Sequence, residues 1–338
     1  MKPDFLPSAS LSTLETRAVF LRRLREFFDQ RGFLEVETPI LSHDVVVDRH
    51  LDPLPVTLFN DPRQPDVGQK LWLQTSPEFG MKRLLAAGAT AIYQVAHSFR
   101  NGEVGRLHNP EFTLVEWYRA GDSHHDQMDF TESLVADFFE AANELRSQPQ
   151  RIERPFERLT YENVFHRYTG QLVLDLTPVE LQELAQQHGV AAPPGLAADD
   201  RDGWLNLLLA ELVEPHLGSG RPVFLYDYPA SQGALARRRP DDPRVAERFE
   251  LYIDRVELAN GYHELLDAAE LRSRIQDQSA VRRREGRRDL PGESRLLAAM
   301  ENGLPACAGV ALGFDRLLMT AVGATSLAEV MAFPFERA

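Results

Sequence analysis

The chain has 338 residues, of which 43% are hydrophobic, so it can bury the core of two ordinary domains or of one large enzymatic domain. It contains no apolar run near the ~20 residues that a membrane-spanning helix requires, and no N-terminal signal pattern, so we expect a soluble, cytoplasmic protein without a membrane partner. Its 51 acidic and 37 basic residues give a net charge of −14, which disfavours nucleic acid as the main partner. The single cysteine, Cys307, excludes an internal disulfide and predicts a buried structural thiol.

The N-terminal segment predicts a helix followed by a short strand. Ser12 and Glu15 have the spacing of a capping box, and Gly32 is a typical helix stop. Between them, apolar residues recur at helical spacing at Leu14, Ala18, Leu21, Leu24 and Phe28. Residues 33–39 predict a strand closed by proline, and residues 48–70, rich in Pro, Asp and Gly, predict a loop or hairpin.

The next segment predicts a helix start and an antiparallel strand pair. Residues 76–78 read Ser-Pro-Glu, in which serine caps a helix, proline occupies its first position and glutamate complements its dipole. Residues 91–99 and 112–119 are rich in strand-forming residues. The polar stretch 100–111 between them predicts a long loop, which is often functional.

The second half of the chain predicts helices inserted among further strands. Residues 124–218 read as mostly helical, including an apolar-faced helix over 204–217. Strands are predicted near 223–226 and 249–260, and again at 309–313, where the chain leads into a C-terminal helix. Strands in antiparallel order with helices between them indicate an α+β fold.

Three constellations have the chemistry of a binding site. The first is the loop 99–112, whose arginines, histidine, asparagines and glycines suit a phosphate chain, with Phe112 available to stack on a flat base. A solvated loop explains the same composition. Another constellation is Gly313 to Arg316. Here glycine permits close backbone approach, and an arginine in the first helical turn is favourable beside a bound anion.

The remaining constellation is the pair Glu250 and Glu257. On one continuous strand their separation of seven would place them on opposite faces. If residues 254–255 form a two-residue hairpin turn, Glu257 faces Tyr252 and Glu250 lies on the same face, at a diagonal spacing of ~7–8 Å. Two carboxylates so placed can share Mg²⁺ with substrate phosphates, although a charged strand face is an open alternative.

Two arginine runs, 237–239 and 282–288, predict solvated surfaces. The second of these runs is also a candidate for docking an acidic partner, because it is basic.

Taken together, these segments resemble the class II aminoacyl-tRNA synthetases, and within them the lysyl-tRNA synthetase catalytic core. The first helix together with residues 32–39 resembles motif 1, residues 99–113 resemble motif 2 and residues 309–316 resemble motif 3. The resemblance covers nearly the whole chain. It implies one catalytic domain over 1–338, an antiparallel sheet flanked by helices, with a mostly helical insertion at about 124–218. It also implies a homodimer, because motif 1 forms the subunit interface in this family; a second apolar edge of the first helix, at Phe20 and Phe27, fits that interface or core packing.

Motif 1 begins within the first 40 residues, so we expect no N-terminal anticodon-binding barrel. The similarity is then to the truncated paralogues that activate (R)-β-lysine with ATP and attach it to a lysine side chain of translation elongation factor P. Ser76 and Ala311 stand where lysyl-tRNA synthetases usually carry alanine and glycine, as in those paralogues. An enzyme that charges tRNA without reading the anticodon, and a catalytically silent paralogue that binds amino acid or nucleotide, are the alternatives.

The resemblance also implies site residues. Arg100 would bind the α-phosphate region and Arg316 the γ-phosphate. The implied ATP-binding residues are Arg100, Asn101, Gly102, Glu103, His108, Asn109, Phe112, Glu250, Leu251, Gly313 and Arg316. The implied amino-acid-binding residues are Ser76, Pro77, Glu78, Tyr118, Glu257, Asn260, Glu264 and Ala311. Mg²⁺ would be held by Glu250 and Glu257, which with Arg100 and Arg316 form the implied catalytic set.

Within the amino-acid pocket, the resemblance implies that Glu78 takes the backbone-side amine of a lysine-like substrate. Tyr118 and Glu264 would receive its terminal ammonium group, and Asn260 would assist its carboxylate. The sequence departs from the family at Gly102, where motif 2 usually carries glutamate. Either Glu103 substitutes for that glutamate or one adenine-side contact is lost.

Overall fold

The structure is a computed structural model that describes residues 5–144 and 152–338. The chain divides into two compact units, unit 1 over Met1–Gln150 and Glu264–Ala338, and unit 2 over Arg151–His263. The single-domain organisation with an insertion at 124–218 stays a prediction. Across the described residues, no helix combines the length and the apolar character needed to cross a membrane.

The described chain contains both strands and helices, in a mixed order. The strands are β1 (Leu34–Glu35), β2 (Leu41–Ser42), β3 (Pro55–Phe59), β4 (Gly68–Leu73), β5 (Ala91–Phe99), β6 (Glu111–Ala120), β7 (Glu157–Thr160), β8 (Val223–Pro229), β9 (Val245–Ile253), β10 (Val256–His263) and β11 (Cys307–Gly313). The helices are α1 (Leu11–Asp29), α2 (Glu78–Ala86), α3 (His124–Glu144), α4 (Tyr161–Thr169), α5 (Pro178–Gln187), α6 (Arg201–Leu208), α7 (Ala268–Arg284), α8 (Arg295–Gly303) and α9 (Phe314–Val322).

Unit 1 contains a sheet with the strand order β1-β5-β6-β11 and a smaller sheet with the order β2-β4-β3. Strand β1 is parallel to β5, whereas β5, β6 and β11 pair antiparallel. The predicted antiparallel pair around the loop 100–111 is therefore confirmed. The β3–β4 pairing confirms a hairpin within 48–70, whereas only Leu34–Glu35 of the predicted strand 33–39 forms a ladder. Cys307 is buried on β11, as predicted.

Helix α1 begins two residues earlier than predicted. Its N-cap is Ser10, whose side chain accepts a hydrogen bond from the backbone N–H of Thr13, so the capping box at Ser12 is wrong. The buried residues of the helix are Phe20, Leu24, Phe27 and Phe28. Phe20 and Phe27 pack against aromatic side chains of α3 within the same unit, so they form core rather than a free interface edge.

Helix α2 begins at Glu78, one residue later than predicted, with Pro77 at the N-cap position. The predicted role of Ser76 survives this shift. Its hydroxyl accepts a hydrogen bond from the backbone N–H of Glu78 at 3.0 Å, so it still satisfies one of the orphan donors of the first turn.

Unit 2 contains the strand order β10-β9-β8-β7, in which only β7 and β8 are parallel. Helices α4, α5 and α6 bury their apolar faces in one core with this sheet. The predicted helix over 204–217 is interrupted: α6 ends at Leu208, a π-turn spans Leu209–Val213 and a 3₁₀-turn spans Glu214–His216. Pro215 lacks the N–H group that a continuing α-helix requires.

The predicted hairpin in unit 2 is confirmed. Asp254 and Arg255 both have positive φ, at 48° and 67°, as a two-residue type I′ turn demands. Glu257 pairs with Tyr252 across the turn, and Asn260 pairs with Glu250 beyond a bulge. Glu250, Glu257 and Asn260 therefore lie on one face of the hairpin.

The arginine runs are mostly engaged within the chain. Arg282 is 1% exposed, donates to the Asp52 carboxylate at 2.6 Å and also donates to backbone carbonyls of the preceding segment. Arg237 pairs with Glu247, and Arg239 pairs with Asp227. The expectation that these runs are solvated surfaces is wrong for Arg282, which is buried and pairs with a carboxylate. It is confirmed for the exposed arginines of the two runs, Arg238, Arg283, Arg284 and Arg288. Arg282 is also unavailable for docking a partner.

Candidate active site

A buried cluster of charged side chains lies in unit 1 beside α2, β6 and β11. Its members are between 1% and 7% exposed: Glu78, Lys82, Glu116, Tyr118 and Glu264. The backbone of Glu264 donates to the carbonyl of Cys307 at 3.0 Å, which fixes Glu264 beside β11. The structure therefore brings together three predicted site residues, Glu78, Tyr118 and Glu264, and adds Lys82 and Glu116 to them.

Glu116 connects the start of α2 with β6. The hydroxyl of Ser76 donates to Glu116 Oε2 at 2.7 Å, and the hydroxyl of Tyr118 donates to Glu116 Oε1 at 2.6 Å. Residues 116 and 118 are two apart on one strand, so their side chains leave the same face. Ala311 pairs directly with Glu116 across the β6–β11 ladder, which places its methyl group beside this carboxylate.

Lys82 bridges two of the carboxylates. Its Nζ lies 2.6 Å from Glu78 Oε1 and 2.5 Å from Glu264 Oε2, and 6.0 Å from the centroid of the Tyr118 ring. Glu78 and Lys82 are four residues apart on α2, so they lie on one side of that helix. An ammonium group of the protein itself thus occupies the space between two carboxylates that the sequence assigns to a substrate.

The cluster contains more negative than positive charge, and this imbalance perturbs its titration. Burial, reinforced by the charge of Glu78, raises the pKa of Glu116 to about 7. Burial, with further repulsion from Glu78 and Glu116, raises the pKa of Glu264 to about 8. Burial lowers the pKa of Lys82, but the adjacent carboxylates outweigh it and hold that pKa above its ordinary value. The pocket is therefore acidic and not neutralised by its own lysine.

Gly309 lies opposite Tyr118 on β11. A Cβ atom at this position would lie 2.2 and 2.3 Å from carbons of the Tyr118 ring and 3.0 Å from Glu264 Oε1. No side chain larger than hydrogen fits there without displacing the wall of the pocket. Sequence reasoning placed Gly309 in motif 3 but assigned it no role.

The basic groups of the predicted ATP site converge on His108. Arg316 Nη2 lies 2.9 Å from His108 Nε2, and its Nε donates to the carbonyl of Leu107 at 3.2 Å. Burial and then the charge of Arg316 lower the pKa of His108, and Arg100 lowers it further. Arg100 and Arg316 therefore act on the same imidazole and belong to one site.

Arg100 is held over an aromatic ring. Its Cζ lies 5.0 Å from the centroid of Phe112, within cation–π range. Its buried Nε has no hydrogen-bond acceptor among the described residues. A buried, unsatisfied guanidinium N–H is what a site for a bound anion presents before its ligand arrives.

The loop of motif 2 is shaped by Gly102 and anchored at both ends. Gly102 has φ +81°, a conformation that glutamate adopts poorly, and the next carboxylate, Glu103, lies 3.9 Å from Arg100. At one end, the backbone N–H of Asn101 donates to the carbonyl of Asp52 at 2.7 Å. At the other end, the buried side chain of Asn109 accepts a hydrogen bond from the Phe335 N–H at 2.8 Å.

The carboxylates of unit 2 form a separate group. Glu250 is 7% exposed, accepts from Arg248 at 2.5 Å and accepts from the hydroxyls of Tyr228 and Tyr252. The neighbouring residue Leu251 is fully buried, so its side chain is not accessible to a ligand. The predicted pair Glu250 and Glu257 thus lies on one face, as the hairpin register requires.

Sequence reasoning missed a third carboxylate in unit 2. The Tyr252 hydroxyl lies 3.4 Å from Glu214 Oε1. Burial, and then the charges of Glu250 and Glu257, raise the pKa of Glu214 to about 7. No local pattern identifies Glu214, because its approach to the hairpin depends on the interrupted helix before it.

The sequence matches the profile of the tRNA synthetases class II (D, K and N) over residues 4–337. The chain belongs to this family. The elongation factor P–(R)-beta-lysine ligase of Vibrio cholerae serotype O1 is 46% identical over 99% of both chains. Proteins of the same name from Klebsiella pneumoniae strain 342 and Pseudoalteromonas translucida are 44% and 45% identical over 98% of both chains. The predicted α+β fold class and the synthetase resemblance are confirmed.

The three synthetase motifs are joined by one hydrogen-bond network. Arg17 of α1 donates to Asp315 at 2.5 Å and to the hydroxyl of Thr113 at 2.8 Å. The backbone N–H of Thr113 donates to the other Asp315 oxygen at 2.7 Å. Asp315 precedes Arg316 at the start of α9, so this network fixes the direction from which Arg316 reaches the site. Sequence reasoning did not single out Arg17, because nothing local distinguishes it from the other arginines of α1.

Proposed function

We propose that this chain is an ATP-dependent ligase that activates (R)-β-lysine or lysine as an aminoacyl-adenylate. It then transfers the aminoacyl group to a lysine side chain of translation elongation factor P. The proposal rests first on relatives of that name that are 43–46% identical over nearly the full length of both chains. The chain's own acidic pocket supports the substrate class.

The pocket in unit 1 suits a substrate with two ammonium groups. Three buried carboxylates face one internal ammonium, so two further positive charges would neutralise the cluster. Glu78 would take the backbone-side amine, and Glu264 with Tyr118 the terminal ammonium, as the resemblance implies. Ser76 and Ala311 line the Glu116 side of the pocket. Charge-assisted hydrogen bonds of this kind select lysine-like over apolar amino acids.

ATP would bind through the basic groups around His108. Arg100 would contact the α-phosphate and Arg316 the γ-phosphate, while Phe112 would stack on the adenine. Glu103 stands in for the missing motif 2 glutamate, since its carboxylate already faces Arg100. Asn101, Gly102, His108, Asn109 and Gly313 complete the ATP-binding residues proposed in unit 1. For Glu250 and Leu251 of unit 2, an ATP-binding role rests on the family resemblance alone.

Mg²⁺ would be held by Glu250 and Glu257. The donor set fits a hard cation, because Glu214 lies near Glu250 and Glu257, and burial followed by the charges of these two carboxylates raises its pKa. When bound, Mg²⁺ would neutralise charge on the ATP phosphates. Asn260 pairs with Glu250 in the ladder, and its buried Oδ1 has no partner among the described residues. Its amide N–H group would assist the substrate carboxylate, as the resemblance implies.

The reaction has two steps. A carboxylate oxygen of the amino acid attacks the α-phosphorus of ATP, the bond from that phosphorus to the β-phosphate oxygen breaks, and pyrophosphate leaves. The ε-amine of the acceptor lysine then attacks the carbonyl carbon of the adenylate, AMP leaves, and the amine loses a proton. The chain's contribution is positioning and stabilisation of negative charge, chiefly by Arg100 and Arg316.

Two further features belong to the proposal. We expect the enzyme to act in the cytoplasm, where elongation factor P works. We expect a homodimer through motif 1, supported by the exposed apolar side chains of Leu11, Leu34, Ile40 and Leu41. Sedimentation that shows only monomer at micromolar concentration would count against the dimer.

Parallel incubations with labelled (R)-β-lysine and ATP test the function. One contains elongation factor P and the other contains bulk tRNA. We expect label in the protein and an increase in its intact mass by one lysyl residue. Label in tRNA would favour the anticodon-independent synthetase, and no adenylate in either would favour a silent paralogue. Arg100→Ala is the matched control, expected to fold but to lose adenylation by ~10²–10³-fold or more.

A further inference from the structure

Lys82 places a fixed positive charge inside a pocket that is to receive a positively charged substrate. Its side chain is 1% exposed, and its Nζ lies within 2.6 Å of carboxylate oxygens from two separate parts of unit 1. Glu78 belongs to α2, whereas Glu264 precedes α7. The ion pairs therefore hold the two carboxylates at a fixed separation.

Each of the two carboxylates that Lys82 bridges has a second oxygen. Lys82 contacts Oε2 of Glu264, and Oε1 of Glu264 has no hydrogen-bond donor among the described residues. That Oε1 lies on the side of Gly309, where the pocket has no side chain to fill it. On Glu78, the oxygen that Lys82 contacts is Oε1. The space between the carboxylates is thus filled by the protein, while a ligand can approach each of them from its other side.

This arrangement changes what an incoming ammonium group can do. Without Lys82, a single ammonium could lie between Glu78 and Glu264 and satisfy both. With Lys82 in place, the two carboxylates act as two separate ammonium sites whose distance is set by the lysine. The titratable groups around this position are Glu78 on α2, Glu116 and Tyr118 on β6, Glu264, and Cys307 on β11.

We propose that Lys82 is a positioning residue that divides the amino-acid pocket into two ammonium sites and thereby selects the spacing between the two amines of the substrate. This inference rests on the proposed function. Within the part of the chain that the structure describes, the charged and aromatic contacts of Lys82 are with Glu78, Glu264 and Tyr118 of the amino-acid pocket, so its effect falls on the amino acid and not on the nucleotide. Its charge also opposes the rise in the pKa values of Glu116 and Glu264, so each carboxylate is more ionised at a given pH than it would be without Lys82.

The test compares Lys82→Met, Lys82→Arg and the exposed control Lys70→Met in ATP–pyrophosphate exchange. Each is measured with (R)-β-lysine or lysine, whichever the wild type prefers, and with its homologue that is one methylene shorter. For Lys82→Met we expect KM for the preferred diamino acid to rise ~10–100-fold, because charge-assisted contacts lose their geometry. In the same variant, the ratio of kcat/KM for the preferred diamino acid to kcat/KM for the shorter homologue should fall toward one. KM for ATP should not change.

The pH profile gives a readout that loss of packing alone would not move. In Lys82→Met, the acid limb of kcat/KM should shift to higher pH, because the carboxylates lose the charge that favours their ionisation. Lys82→Arg keeps the charge and should keep the position of that limb. Lys70→Met should match the wild type in every measurement.

Several outcomes would overturn the inference. One is a folded Lys82→Met variant with unchanged KM and unchanged homologue preference, and another is an equal loss of affinity for amino acid and ATP. If Lys82→Met does not fold, Lys82→Arg decides, since its longer planar group alters the spacing and must change the homologue preference. A wild type without exchange for any diamino acid would refute the proposed function itself, and the inference with it.

Discussion

Gly309→Ala perturbs the amino-acid pocket through a single added methyl group. The new Cβ would lie 2.2 Å from a Tyr118 ring carbon, whereas ordinary contacts begin at 3.4 Å, so the ring must move by about 1 Å. Tyr118 is 3% exposed and its hydroxyl donates to Glu116 at 2.6 Å. A displacement of that size breaks this hydrogen bond and moves the wall that faces Glu264.

The expected loss of activity follows from the hydrogen bond between Tyr118 and Glu116 that is broken. A hydrogen bond to a charged group contributes about 1.5–3 kcal/mol, so kcat/KM for the diamino acid should fall by ~10–100-fold. KM for ATP should not change, because Arg100 and Phe112 are not in contact with Gly309. The assay is ATP–pyrophosphate exchange, with amino acid and ATP varied in turn and folding checked by circular dichroism.

The matched control is Gly292→Ala. A Cβ at Gly292 meets no atom within 4 Å, so this variant should behave as the wild type does. A folded Gly309→Ala enzyme with wild-type kcat/KM for the diamino acid would show that Tyr118 does not form the wall of the substrate pocket.

Of four other predictions, one concerns the motif network, two the titration of the pocket and one the C-terminal segment. Arg17→Met leaves the buried Asp315 carboxylate without its cation and should lower the free energy of unfolding by about 3 kcal/mol in urea denaturation. The control Arg22→Met, at an exposed position of the same helix, should change it little. Equal stabilities of the two variants would contradict the network. The pKa values of about 7 and 8 for Glu116 and Glu264 mean that binding a diamino acid at pH 7 should release about one proton, seen in calorimetry as a dependence of enthalpy on buffer. Because these folded-state values are raised above 4.5, the free energy of unfolding of the ligand-free protein should fall as pH rises from about 4.5 through 8, and a flat profile would refute this. Deleting residues 334–338 removes the Phe335 N–H group that donates to the Asn109 side chain. This deletion should raise KM for ATP ~10-fold without changing KM for the amino acid. Deleting Ala338 alone is the control and should change neither KM.

Much of the fold was predictable because it follows from local pattern. The β9–β10 register depends only on a two-residue turn and side-chain alternation, and it places Glu250 and Glu257 on one face. The β5–β6 pair follows from two strand-forming runs around a polar loop. The cap of α1 was misplaced because Ser10 and Ser12 are both good caps, and only the Thr13 N–H decides between them.

The centre of the amino-acid pocket was not predictable from local pattern. Both faces of β6 are buried, so alternation does not mark Glu116 as different from its apolar neighbours. Glu78 and Lys82 have the spacing of an ordinary surface ion pair on a helix. Only the approach of Glu264, almost two hundred residues away in sequence, turns that pair into a buried cluster.

The measurement closest to the central claim is the amino-acid dependence of ATP–pyrophosphate exchange by the purified protein. The acidic pocket predicts exchange with (R)-β-lysine or lysine, and none with norleucine, which has the same chain length as lysine but lacks its terminal ammonium group. Equal exchange with norleucine, or exchange that survives unchanged in Arg100→Ala, would contradict the account.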